Sequence, residues 1–104
     1  MKEKRFEIEL SNEAEEDFDN AFNYYLYENE RVADNFYHKT NESFIALSKD
    51  PFAYQKIYKN IHRFVIKKFP FVIYFRIKEF SVRIIAIFHT SRNPQIWEDR
   101  ANDK

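Results

Sequence analysis

From Arg5 to Leu10 the chain alternates, with Phe6, Ile8 and Leu10 on one side and Glu7 and Glu9 on the other. A period of two with one apolar side predicts a half-exposed strand. Ser11 or Asn12 then suits a helix N-cap, and Asn12 with Glu15 has capping-box spacing. Ala14, Phe18, Ala21, Phe22 and Tyr25 recur at helical spacing, opposite Glu13, Glu16, Asp17 and Asn20. The early acids also suit the positive end of a helix dipole. A break at residues 28–30 precedes a second stripe of Ala33, Phe36, Tyr37, Thr40, Phe44 and Leu47, which stops at residues 48–51. Two helices of roughly 17 to 19 residues with so short a join predict an antiparallel hairpin.

After Pro51 the period returns to two. A short strand is expected around residues 55–58, then a turn near Asn60. HRFVIKKF (62–69) sets Phe64 and Ile66 against Arg63, Val65 and Lys67. FVIYFRIK (71–78) and SVRIIAIF (81–88) are rich in β-branched and aromatic residues and nearly apolar on both faces, as central strands are. Residues 78–81 give a tight hairpin connection. Asn93 and Pro94 suit the N-cap and first position of a short last helix carrying Ile96 and Trp97. The expected class is α+β in the order β-α-α-β-β-β. An N-terminal strand and helical hairpin pack on a small twisted antiparallel sheet, with a short C-terminal helix, in one domain over residues 1–104.

Composition narrows the chemistry. Cysteine and glycine are both absent. There is thus no thiol nucleophile, thiolate metal site or disulfide, and no glycine-built phosphate loop or EF-hand. Turns are expected to rely on Asn, Asp and Pro. No leader is recognised, and no apolar run approaches the ~20 residues that cross a bilayer, so the expected location is cytoplasmic. The net charge is zero, but residues 1–50 hold 6 Lys+Arg against 13 Asp+Glu (−7), and residues 51–104 hold 11 against 4 (+7). Either the basic half faces an anionic partner or the two halves neutralise each other.

The basic residues fall in patterns. Arg63 and Lys67 share one side of their strand, His62 and Lys68 the other; Tyr74, Arg76 and Lys78 share a side, and Arg83 has the parity of His89. Cations interleaved with rings suit a nucleic-acid surface, or else form a solvated sheet face with snorkelling side chains. His89 and Arg92 sit together where the last strand turns polar. There a histidine can exchange a proton near neutral pH and an arginine can grip phosphate or carboxylate; alternatively Arg92 pairs with a helix carboxylate. The histidines lack metal-ligand spacing, and neither metal nor cofactor is expected. The acids at residues 13–19 read as a solvated helix face. Aromatics make up 19% of the chain, and Tyr24, Tyr27, Tyr54 and Tyr58 exceed what so small a core absorbs, which points to a groove for a partner segment or to tyrosines at the core rim.

Over residues 5–100, the strand, the helix hairpin ending in Leu47-x-x-x-Pro51, RFVIKKFPFVIYFRI and VRIIAIFHTSRNPQIW resemble the RelE/ParE superfamily of type II toxin–antitoxin toxins. The match is strongest at Arg63, FVIYFRI and the ending His89-x-x-Arg92. The resemblance implies a small α+β toxin held inactive in a heteromeric complex by a cognate antitoxin, with Tyr24, Tyr27, Tyr54 and Tyr58 as candidate antitoxin contacts. RelE-like members cut mRNA on the ribosome with a Lys/Arg cluster and a late Tyr or His; ParE-like members inhibit DNA gyrase through protein contacts. Val72 stands where the nuclease branch carries arginine, and Trp97 near its C-terminal tyrosine, so the ParE-like branch is favoured. Arg63, Lys67, Lys68, Arg76, Arg92 and Trp97 are then the expected target contacts. In the alternative, an mRNA endonuclease, His89 and Arg92 are catalytic. A third alternative is a non-toxic partner-binding module of the same fold.

Overall fold

The computed structural model describes residues 5–102. Strand β1 (Glu7–Leu10) leads into helix α1 (Asn12–Glu28) and helix α2 (Glu30–Lys49). A 3-10 turn at Pro51–Ala53 precedes strands β2 (Lys56–Tyr58), β3 (Ile61–Val65), β4 (Phe71–Lys78) and β5 (Ser81–His89), and helix α3 (Pro94–Asn102) ends the fold. Ser11 caps α1 by accepting the Ala14 N–H at 3.1 Å. Asn29 serves both helices: its N–H closes α1 on the Tyr25 carbonyl, and its side chain accepts the Arg31 and Val32 N–H groups that open α2. One extended residue thus makes the whole helix–helix join.

The sheet order is β1-β5-β4-β3-β2. The expected α+β class and helical hairpin are present, with two corrections. The sheet is mixed rather than antiparallel, because β1 runs parallel to β5. Alternation along a strand fixes its buried side but not the direction of its neighbour, and β1 reaches the sheet through the long hairpin rather than a tight turn. The short strand expected around residues 55–58 is present as Lys56–Tyr58 and pairs with β3, so four strands follow the helices and the order β-α-α-β-β-β is one strand short. Turn chemistry also departs from expectation. The left-handed positions are taken by Lys59, Lys68 and Glu79, with φ of 49°, 70° and 56°, not by Asn or Asp.

On one face the helical hairpin covers the main core, where Phe36 meets Phe18, Tyr25, Phe69 and Phe71 at ring centroid distances of 5.2–5.5 Å. The other face is not free. There α3 seats Trp97 and Ala101 on Ile61, Ile85, Ala86 and Phe88. Trp97 stacks on Tyr74 at 4.5 Å and an interplanar angle of 16°. What α3 leaves open is the part of that face near the β4–β5 hairpin. No helix among the described residues is long and apolar enough to cross a membrane.

A bulge in β5 sets the direction of everything after it. Tyr74 pairs with Ala86 but Phe75 with Ile84, so Ile85 is the extra residue. The parity of β5 reverses there. Arg83 lies opposite Arg76, whereas His89 lies opposite Phe71, on the helix-covered side. The equal parity read from the sequence therefore does not put Arg83 and His89 on one face.

Candidate functional site

The polar end of β5 is a folded turn. Thr90 N–H donates to the Pro70 carbonyl at 2.9 Å, and Arg92 N–H to the His89 carbonyl at 3.0 Å. Ser91 N–H donates to His89 Nδ1 at 3.1 Å, and the Ser91 hydroxyl lies 2.8 Å from the same nitrogen. A neutral imidazole whose Nδ1 accepts carries its proton on Nε2. In that form His89 has Nδ1 occupied by Ser91 and carries its donor on Nε2. The Arg92 guanidinium lies over the Phe88 ring at 3.8 Å, with Nη1 3.8 Å from Asp17 Oδ1. His89 and Arg92 do line one shallow depression, together with Asp17, Asn20 and Phe71.

Asp17 organises this edge. It is 7% exposed, where the sequence reading put it on a solvated face. Its Oδ2 accepts the Ile87 N–H at 3.0 Å and Arg100 Nη1 at 2.7 Å, and the same Nη1 donates to the Ile85 carbonyl at 2.9 Å. Strand β1 ends at Leu10, opposite Ile84. Beyond it, Asp17 and Arg100 satisfy the backbone edge of β5 as a neighbouring strand would. The signal for Asp17 was present in the sequence: it sits three residues after Ala14 and four before Ala21, within the apolar stripe. Arg100 had no such signal.

The other expected contacts scatter. Arg63 is half-buried opposite Tyr74 on the α3 side. Strand β3 stops at Val65, which leaves Lys67 and Lys68 exposed in the turn to β4 rather than on a strand face. Trp97, expected to touch a target, is 4% exposed and serves as core, with Tyr58 edge-on at 5.8 Å. His62 is likewise buried, stacked on Phe75 at 5.3 Å with Nδ1 2.9 Å from the Tyr54 carbonyl. The four tyrosines do not line one groove. Tyr24 and Tyr27 stand out from α1, at 63% and 91% exposure. Tyr54 packs on Phe64, and Tyr58 sits beside Trp97 on the opposite face. Among the described residues no group of three or more His, Asp or Glu is placed to hold a metal.

A family model described as the ParE toxin of type II toxin–antitoxin system, parDE, matches residues 8–94. The chain belongs to the ParE toxin family. Among solved structures, one from the chromosomal ParDE toxin–antitoxin system of P. aeruginosa superimposes with a TM-score of 0.72 at 16% identity, covering 81% of this chain and 95% of the other. At that identity the likeness is one of fold. No curated protein matches the sequence. In this ParE-family chain the matched segment takes in the sheet, the helical hairpin and the His89–Arg92 turn, and ends at the first residue of α3.

Proposed function

We propose that this ParE-family chain is a toxin that inhibits DNA gyrase through protein contacts and is neutralised by a cognate antitoxin in a heteromeric complex. The observation that carries the choice against RNA cleavage is the state of the β5 end. His89 Nδ1 is taken by Ser91, Arg92 is drawn against Phe88 and Asp17, and Trp97 is buried. General acid–base cleavage needs a donor and an acceptor converging on one scissile group, with the acceptor nitrogen free. A surface that recognises a protein needs neither. Tyr24 and Tyr27, the most exposed of the four tyrosines, are the antitoxin contacts this reading favours, and a gyrase target goes with a cytoplasmic location.

Purified protein added to gyrase is expected to block supercoiling, and addition of the neighbouring gene product to restore it. Normal supercoiling at an excess of the protein would rule the reading out. The second reading, ribosome-dependent mRNA cleavage, draws on His89 and Arg92 sharing a depression and on the turn bearing Lys67 and Lys68, which the Thr90–Pro70 bond ties to the β5 end. Its signature is cleaved messages in arrested cells, abolished by His89→Ala or Arg92→Ala.

A further inference from the structure

At the opposite end of the sheet, the part of the second face left open by α3 carries Arg76, one of the expected target contacts, in a cluster with Arg83 and Lys78 that lies apart from the His89–Arg92 turn. Arg76 and Arg83 are direct register partners across β4 and β5. Like charges directly opposite each other on a sheet repel. Among the described residues one carboxylate forms an ion pair with either arginine: Arg83 Nη1 is 3.7 Å from Glu9 Oε1, with both side chains about half exposed. Among the described residues, Arg76 and Lys78 have neither an ion-pair nor a hydrogen-bond partner through their side chains. Arg100 arrives from α3, with its charge partly spent on Asp17.

These cations line a continuous concavity. A groove of about 390 Å³ runs between Arg76, Arg83 and Arg100 on one side and Ser11, Asn12 and Glu13 on the other. Two further depressions share Arg76 and Arg83 and continue it, one past Ser81 and Lys78 and the other to Asn60. Arg76 and Arg83 thus border all three depressions, with Arg100 on one and Lys78 on the other two. A single small anion needs a closed cradle; a track of guanidinium and ammonium groups matches a chain of evenly spaced negative charges. No ring faces the groove to stack a base, because Tyr74 is engaged with Trp97. Glu9, Glu13 and Glu79 also line it and confine any anion to the arginines, whose forks match phosphate oxygens. The groove is also separate from the His89–Arg92 turn. Five residues of β5 lie between Arg83 and His89, six steps and roughly 20 Å of strand, and the bulge turns the two to opposite faces.

We infer that the Arg76–Arg83–Arg100 groove is a nucleic-acid site that holds a single strand through its phosphodiester backbone, without reading its bases. The Arg76–Arg83 pairing, relieved only from the Arg83 side by the half-exposed Glu9, is the mark of a surface kept for binding, since a purely structural position would be filled by an uncharged β-former.

The test is fluorescence anisotropy with a labelled mixed-sequence single-stranded oligonucleotide and purified full-length protein at low salt, titrated through increasing salt. Arg76→Thr and Arg83→Thr are made singly and together; Arg100 is left intact because it holds the β5 edge. The expected result is measurable binding by the unaltered protein, weakened at least tenfold in the double variant. The slope of log affinity against log salt should fall by about 0.7 for each phosphate contact removed. The melting temperature of the double variant should be unchanged or higher, because removing like charges relieves strain. A structural role for these arginines predicts the opposite sign. The inference is overturned if the oligonucleotide does not bind, if the double variant keeps both affinity and slope, or if polyglutamate of equal charge binds as tightly. Gyrase and antitoxin are absent from this assay, so its failure leaves the proposed target standing, and failure in the supercoiling assay leaves this site standing.

Discussion

Asp17 shows how one side chain can fix an edge of a fold. It meets a backbone donor, holds the guanidinium of Arg100 and lies within reach of Arg92. Removing it leaves the Ile87 N–H without a partner and Arg100, 20% exposed, without its counter-ion. Breaking a largely buried pair from one side costs about 3 kcal/mol. Urea denaturation of Asp17→Ala should show a loss of about that size, while Asp19→Ala on the exposed face should change stability by less than about 0.5 kcal/mol. Tyr25 makes a second prediction at this scale. Burial first, and then the neighbouring Tyr24, push its phenol above the ordinary tyrosine value. The unfolded chain therefore ionises there at lower pH than the folded one. The resulting stability is complete below about pH 10 and is lost as pH rises towards the folded value. Tyr25→Phe should give a shallower fall of stability in that alkaline window, measured by denaturant midpoints at a series of pH values. How much of this was legible varied by residue. The helical spacing that exposed the stripe of Ala14, Phe18 and Ala21 already contained Asp17, and charge alone led it to be assigned to solvent. No local pattern could place Arg100, because its partner is 83 residues away.

Among the elements, those set by local periodicity were readable and those set by pairing were not. The cap at Ser11 or Asn12, the break at residues 28–30, the two amphipathic stripes and the two long strands follow from neighbours within a turn or a few residues, whereas the double role of Asn29 did not show in the sequence. The parallel entry of β1 depends on a partner far along the chain, and the bulge at Ile85 and the end of β3 at Val65 depend on register across their hairpins rather than on periodicity. The bulge matters most for the candidate site, since it separates Arg83 from His89. The hairpin loops hold a cost that can be measured. Lys59 and Glu79 each open a two-residue loop in the left-handed region, where a Cβ costs about 1–2 kcal/mol. Glycine relieves that cost but loses part of the benefit in chain entropy. Lys59→Gly and Glu79→Gly should each stabilise by roughly 0.5 kcal/mol, a rise of about 2–4 °C in Tm by thermal melting. A drop in Tm would mean that these side chains contribute contacts outweighing the backbone cost.

At the scale of the whole molecule, the opposite charges of the two halves of the sequence become an acidic helical hairpin and a cationic sheet. The reading in which the halves neutralise each other holds in part. The halves neutralise each other at one edge, where Asp17 meets Arg92 and Arg100, and at the rim, where Glu9 approaches Arg83. Away from those contacts, Arg63, Lys67, Lys68, Arg76 and Lys78 form no ion pair among the described residues. The molecule thus has a neutralised seam and an unneutralised face, and the proposals about partners concern the face.

The seam has a consequence for how the protein is made. Asp17 is synthesised early and Arg100 late, and the carbonyl of Ile85 takes its side-chain hydrogen bond from Arg100. While the ribosome still covers the last helix, the nascent chain can assemble its hairpin but must hold a carboxylate beside β5 without the cation that accompanies it in the finished fold. A chain stalled before Arg100 would leave the Ile85 carbonyl without that hydrogen bond and Asp17 without its closest cation, a weakened strand edge more open to association with other chains.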